Sequence, residues 1–128
     1  MNIVDSCGWL EYLSDGQNAD FFAAAVENVG TLIVPAICIY EVFKRVYEQR
    51  GEDAALQAIA IMHQGKVVAV DEVVALNAAK CSLEQRLPLA DSLILAIARL
   101  EKAVIWTQDE DFKKIPGVKY IPAPQRKK

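Results

Sequence analysis

Four acidic residues, Asp5, Glu41, Asp91 and Asp109, stand where a carboxylate is either a routine cap or part of a reaction centre. Asp5 follows the apolar "NIV" directly, Glu41 interrupts the apolar "ICIYEVF", Asp91 precedes "SLILAIA", and Asp109 comes just after "AVIWTQ". Taken singly, Asp5 and Asp91 read as helix caps and Asp109 as a turn acid. Glu41 is harder to dismiss, because a long acid on an apolar face is usually paired or functional. Taken jointly, carboxylates gathered at one edge repel each other by about 4 kcal/mol per close pair at a surface-like dielectric. No Lys or Arg lies within five residues of Asp5, and Arg86 and Arg99, the basic residues near Asp91, need not reach it. A divalent cation is the economical compensation. An all-oxygen donor set favours Mg²⁺ or Mn²⁺ over zinc.

Other chemistries are poorly supplied. The single histidine, His63 in "IAIMHQG", sits near a helix end and reads as a C-terminal cap or surface residue, so Ser-His-Asp and Cys-His mechanisms are disfavoured. Cys7, Cys38 and Cys81 are odd in number and lack CxxC or Cys/His spacing. They read as small core residues in a reducing compartment, neither a disulfide framework nor a zinc site.

The acids must be positioned by elements, and the chain offers a regular alternation of them. "NIV", "TLIVP", "KVVAV" and "AVIW" are strand candidates, with "VKYI" a possible fifth. Between them lie helical segments. One runs from the Asp5-Ser6 cap to the turn at Asp15-Gly16, and a second through "ADFFAAAVENVG" to a stop at Gly30. The third spans Ala36 to Gly51, with Lys44, Arg45, Glu48 and Gln49 opposite its apolar face, and the fourth is "EDAALQAIAIMHQG". The last two are Asp71 to Arg86 and "LADSLILAIARLEK". Strands separated by helices imply parallel pairing and an α/β fold with three α/β/α layers around a central, mainly parallel sheet of four to five strands. Unalternating apolar strands fit a sheet covered on both faces. In such a sheet ligands bind beyond the carboxyl ends of the strands, near the point where strand order reverses, which is where Asp5 and Asp109 would fall.

At 128 residues and 53% hydrophobic, the chain suits one domain, placed at residues 1–122, with a basic tail at 123–128 expected to be mobile. No apolar run is long enough to cross a bilayer and the start lacks signal-peptide features, so the expected compartment is the cytoplasm and no membrane partner is expected. Seventeen acids against fourteen basic residues give a net charge of −3, which supplies no global attraction to nucleic acid. A local basic patch and bound cations can replace it.

The ordered set "NIVDS", "PAICIYEVFKR", "LPLADSLILAIA" and "VIWTQDEDF" resembles the PIN-domain ribonucleases, especially the VapC-type toxins of toxin–antitoxin pairs. The resemblance runs from Ile3 to about Ile121. It implies a PIN-like fold and an Mg²⁺- or Mn²⁺-dependent endoribonuclease acting on RNA, usually a homodimer, silenced by a VapB-like antitoxin. Asp5, Glu41 and Asp91 match the family's main acids and Asp109 the fourth; Ser6 and Thr107 match supporting hydroxyls. The family often has Asn at the place of Asp109 with an acid a few residues later, so Asp109 and Asp111 compete for that role. Metal held by Asp5, Asp91 and Asp109, with Glu41 direct or through water, would drive water attack on a phosphate and leave 5′-phosphate and 3′-hydroxyl ends.

Substrate grip is expected from Lys44, Arg45 and Arg50 on the exposed side of the third helix, with Lys113 and Lys114 as additions, although a basic helix face is often merely solvated. "WLEYL" and "ADFFAAAV" read as core faces, with a dimer or antitoxin groove as the alternative. Two rival functions remain. A receiver-like Mg²⁺-binding signalling domain would want a phospho-accepting Asp after the third strand, and a PIN-like module would bind RNA or protein without cutting.

Overall fold

The chain alternates strand and helix along its length, and the computed structural model describes residues 1–125. The strands are β1 (Asn2–Val4), β2 (Leu32–Pro35), β3 (Lys66–Val68), β4 (Val104–Thr107) and β5 (Val118–Tyr120). The helices are α1 (Ser6–Leu13), α2 (Ala19–Val26), α3 (Ala36–Arg50), α4 (Glu52–Met62), α5 (Glu72–Gln85) and α6 (Leu89–Glu101), with single 3-10 turns at Val29–Thr31 and Glu110–Phe112. The expected tail 123–128 lies outside the described residues for its last three positions.

All five strands pair in parallel in the order β3-β2-β1-β4-β5. The chain therefore winds outward from β1 to β3, then returns through α5 and α6 to place β4 on the other side of β1. β1 and β4 are neighbours in register, with Asn2 beside Val104 and Val4 beside Trp106. The reversal leaves a crevice at their carboxyl ends, the place where open α/β sheets take ligands. Each parallel return costs a helical crossover, which explains the alternation of short apolar runs with helices.

The central strands are buried on both faces: Ile3, Val4, Ile33, Val34 and Ile105 are at most 1% exposed. Each such aliphatic side chain stabilises the fold by about 1.5–3 kcal/mol relative to exposure. The edge strand β3 departs from the two-sided burial expected of every strand. Lys66 and Val67 are exposed, because β3 has only one neighbour, and a charge on a short edge strand discourages further pairing. β3 also stops at Val68, short of the expected "KVVAV". The second helix ends at Val26, not at Gly30, and Gly30 sits in the following 3-10 turn.

The aromatic faces of α1 and α2 turn inward. Trp9 and Phe22 are wholly buried and belong to the core, which removes them as a docking groove. Gly8 makes this close approach feasible, since a Cβ there would stand 2.5 Å from the Phe22 ring and 2.8 Å from Val4. Thus α1 is seated tightly over β1. That seating fixes Asp5, the residue joining strand to helix.

Candidate metal centre

Asp5, Asp91 and Asp109 each offer a carboxylate oxygen, and these oxygens lie within 4.8 Å of one another. Separate elements deliver them. Asp5 is the N-cap of α1 at the end of β1, Asp91 stands in the first turn of α6, and Asp109 precedes the 3-10 turn after β4. Asp91 is not a cap: Pro88 occupies that position. Asp91 also accepts no hydrogen bond from the described residues, so its placement has no structural use of the capping kind.

A network of short bonds aims Asp5. Its Oδ1 accepts the Ser6 amide at 2.7 Å, and its Oδ2 accepts the Thr107 hydroxyl at 2.8 Å and the Cys7 thiol at 3.4 Å. The Thr107 oxygen in turn accepts the Asp109 amide at 2.9 Å, and Asp109 Oδ1 accepts the Asp111 amide at 2.9 Å. "TQDED" is therefore two consecutive side-chain-to-backbone turns, the local chemistry that Thr and Asp supply. Glu41 stands one bond further out. Its Oε1 accepts the Ser6 hydroxyl at 2.7 Å, and it lies outside the group of three converging carboxylates. Glu110 and Asp111 are exposed, and Phe112 fills the core behind them.

The electrostatics leave the negative charge of the three acids uncompensated among the described residues. Asp5 is 4% exposed, and burial pushes its carboxyl up to about 6, against hydrogen bonds from Thr107, Cys7 and Ser6 and with help from Asp109. Burial pushes Asp91 to about 8, reinforced by the charges of Asp5, Asp109, Asp111 and Glu41. The dipole of α6 favours an anion at that position but does not offset this. Among the described residues the ion pairs are Lys66–Glu101 and Arg99–Glu84, and neither includes one of the three acids. Arg99 is thus spent elsewhere, as its neighbour Cys81 at 3.4 Å also indicates.

The donor set fits a hard divalent ion, with three carboxylates and no nitrogen or sulfur ligand. Cys7 does not alter this. Burial and the adjacent Asp5 push its thiol up to about 12, so it stays protonated and serves as a donor.

Cys7 is the main residue that sequence reasoning misplaced. Cys38 and Cys81 are buried as expected, but Cys7 is half-buried and touches both Asp5 and Thr107, 3.6 Å from the latter's oxygen. Its position two residues after Asp5, on the first turn of α1, was the available signal. Asn18 was also missed. It stands at the N-cap of α2 without a capping bond, and its amide group donates to Gln108 Oε1 at 3.0 Å and to the Pro122 carbonyl at 2.9 Å, tying the α1–α2 turn to the segment that carries Asp109.

The basic residues of α3 do not share one face. Arg45 and Arg50 line a cleft of about 480 Å³ between α1 and the α3–α4 pair, which reaches Cys7 and Gln108 at the site. Lys44 stands instead against Tyr40, 5.6 Å from its ring centroid. Lys113 lies 5.7 Å from the Tyr120 ring, beside the 3-10 turn, and Lys114 is exposed. His63 caps α4 and takes no part.

Known proteins place this geometry. The PIN-domain family model matches residues 3–118. No curated protein sequence matches the chain. Among solved structures, a toxin–antitoxin complex from Klebsiella pneumoniae aligns with a TM-score of 0.76 at 20% identity, covering 92% of this chain and 95% of that one. The sarcin–ricin-loop-cleaving toxin VapC20 from Mycobacterium tuberculosis aligns at 0.76 and 16% identity, covering 92% and 97%. VapBC2 from Rickettsia felis, bound to a promoter DNA fragment, aligns at 0.74 and 15%, covering 94% and 97%. With a five-stranded parallel sheet, acids at its switch point and a family match over nearly its whole length, the chain belongs to the PIN-domain family.

Proposed function

We propose that the protein is the toxin of a toxin–antitoxin pair, a cytoplasmic endoribonuclease that hydrolyses RNA phosphodiester bonds with Mg²⁺ or Mn²⁺. The observation that carries this reading is the convergence of Asp5, Asp91 and Asp109 within 4.8 Å, at the switch point, with no compensating cation among the described residues. These three residues would hold the metal. A divalent ion held there supplies activation of water and charge neutralisation at a phosphate and its leaving oxygen.

The chain's own residues do the rest. Thr107, Cys7 and Ser6 fix both oxygens of Asp5, so the site needs little reorganisation when a charged ligand arrives. Glu41 accepts the Ser6 hydroxyl with Oε1, and Oε2, unbonded among the described residues, is the natural acceptor for a water proton. Asp111 adds negative charge to the edge of the site, and Arg45 and Arg50 give the adjoining cleft the sign that phosphates require.

A VapB-like antitoxin as partner is supported by structural neighbours that are toxin–antitoxin complexes. A homodimer is supported by an apolar stripe on α5 and the start of α6, where Val73, Leu76, Leu83 and Leu89 are 56%, 62%, 84% and 75% exposed. The receiver-like alternative fails on topology and chemistry. Its strand order would be 2-1-3-4-5, and Asp71, the acid after β3, is consumed as the cap of α5 through the Val74 amide. Against a module that binds without cutting, the complete acid set favours an enzyme.

The test is a cleavage assay on total RNA with Mn²⁺ and with EDTA, followed by end mapping. Metal-dependent fragments with 5′-phosphate and 3′-hydroxyl ends support the proposal; 2′,3′-cyclic phosphates or metal-independent cutting overturn it.

A further inference from the structure

Helix α3 delivers Glu41 to the site on one side, and on the adjoining side it carries a stripe that neither core nor metal centre uses. Tyr40, Lys44 and Tyr47 recur at helical spacing. Tyr40 is 58% exposed and Tyr47 50%. The Lys44 ammonium stands 5.6 Å from the Tyr40 ring centroid, and Phe43 meets the Tyr47 ring at 5.7 Å and 64°. Both rings are thus steadied by neighbours while their hydroxyls make no hydrogen bond among the described residues. The stripe starts beside the reaction centre, because Tyr40 directly precedes Glu41, whose carboxylate is 2.7 Å from the Ser6 hydroxyl.

Two kinds of exposed apolar surface coexist on this protein and they differ in chemistry. The α5 stripe is aliphatic, as suits a protein partner. The α3 stripe is aromatic with a cation over one ring, which suits bases that stack and phosphates that carry charge. The axial separation of Tyr40 and Tyr47 is about 10 Å, so the rings would take separate bases and not clasp one between them.

We propose that Tyr40, Lys44 and Tyr47 form a stacking ridge for unpaired nucleotides of the RNA strand that flank the scissile phosphate. This rests on the ribonuclease reading of the acid cluster. It makes α3 bifunctional, with Glu41 facing the reaction centre and the ridge gripping the strand.

The experiment measures anisotropy of a short fluorescein-labelled oligoadenylate RNA titrated with the full chain carrying Asp91→Asn, which prevents cleavage. Tyr40→Leu and Tyr47→Leu should each weaken binding by about fivefold or more, while Tyr40→Phe and Tyr47→Phe, which keep the ring, stay within about twofold. Lys44→Met should reduce the slope of log affinity against log salt by about 0.7, the loss of one phosphate contact on a single strand. Leu variants that bind like the Phe variants overturn the proposal. So does unchanged RNA affinity accompanied by a fall in light-scattering mass, which would assign the ridge to a second copy of the chain. Wild-type protein with no metal-dependent cleavage, in a chain that also binds no RNA, would sink the ribonuclease reading itself; a wild type that cuts, with ridge variants that bind normally, sinks the ridge alone.

Discussion

Thr107 Oγ1 donates to Asp5 Oδ2 at 2.8 Å while accepting the Asp109 amide at 2.9 Å, so one buried hydroxyl couples the Asp5 carboxylate to the backbone of Asp109, just beyond the ends of two adjacent strands. Thr107→Val keeps the shape but leaves the Asp109 amide unpaired and Asp5 short of a donor. It should cost about 1–3 kcal/mol of stability and weaken Mn²⁺ binding in calorimetric titration. Thr107→Ser should retain both properties. Equal behaviour of the two variants would show that the hydroxyl is idle.

Asp91 is held among like charges without a donor of its own among the described residues, and this sets stability against function. Asp91→Asn should raise the stability of the metal-free protein at pH 8 by roughly 1–4 kcal/mol, the range between water and protein-surface screening for carboxylates about 4 Å apart. The same variant should reduce RNA cleavage to the level seen with EDTA. Denaturant unfolding and the cleavage assay together check the opposed signs.

The pH dependence follows from the same group. In the folded chain Asp91 is raised from 3.8 to about 8, so the folded state binds more protons than the unfolded state across that interval. Stability of the metal-free protein is therefore fully present below about pH 4 as far as this group is concerned, and is lost as pH rises towards 8. Mn²⁺ should reverse the trend, because protons compete with the ion. Thermal melts from pH 5 to 8, with and without Mn²⁺, should show opposite slopes.

Asp109 and Asp111 separate by substitution. Asp109→Asn keeps an oxygen to accept the Asp111 amide, so the turn survives while the charge is lost. Cleavage should collapse with little change in Tm. Asp111→Asn, at an exposed position, should cost far less. The reverse pattern would exchange their roles.

The aliphatic stripe on α5 predicts self-association. Leu76→Glu with Leu83→Glu should leave Tm within a few degrees, since both side chains are already exposed, and shift the light-scattering mass towards that of one chain. An unchanged mass would remove this face from any dimer.

The layered fold was readable because strand and helix leave different periodicities, and "NIV", "TLIVP" and "AVIW" read as short apolar strands between helical segments. The convergence of Asp5, Asp91 and Asp109 was readable because each falls just beyond the carboxyl end of such a strand or in the first turn of a helix, positions that topology brings to one edge. Boundaries were less visible. Gly30 looks like a helix stop, but α2 ends four residues earlier, where Asn28 and Gly30 make a tight turn before β2. The site's supporting shell was the least legible part. Cys7 is a small hydrophobe by composition, and only the seating of α1 over β1 turns its thiol towards Asp5. Asn18 carries the signature of a cap, and its bonds to Gln108 and Pro122 join residues that are adjacent in space alone. Likewise the split of Arg45 from Lys44 depends on where α1 lies, which helical spacing within α3 does not encode.

The pairing of Asn2 with Val104 and of Val4 with Trp106 has a consequence for the birth of the protein. β1 is synthesised before all six helices, but its partner β4 only after them, and Asp109 follows that partner. A nascent chain ending before β4 thus holds Asp5, Glu41 and Asp91 without the strand that brings the last acid into place. Strand order therefore acts as a delay, and the three converging acids are brought together only once β4 has been made.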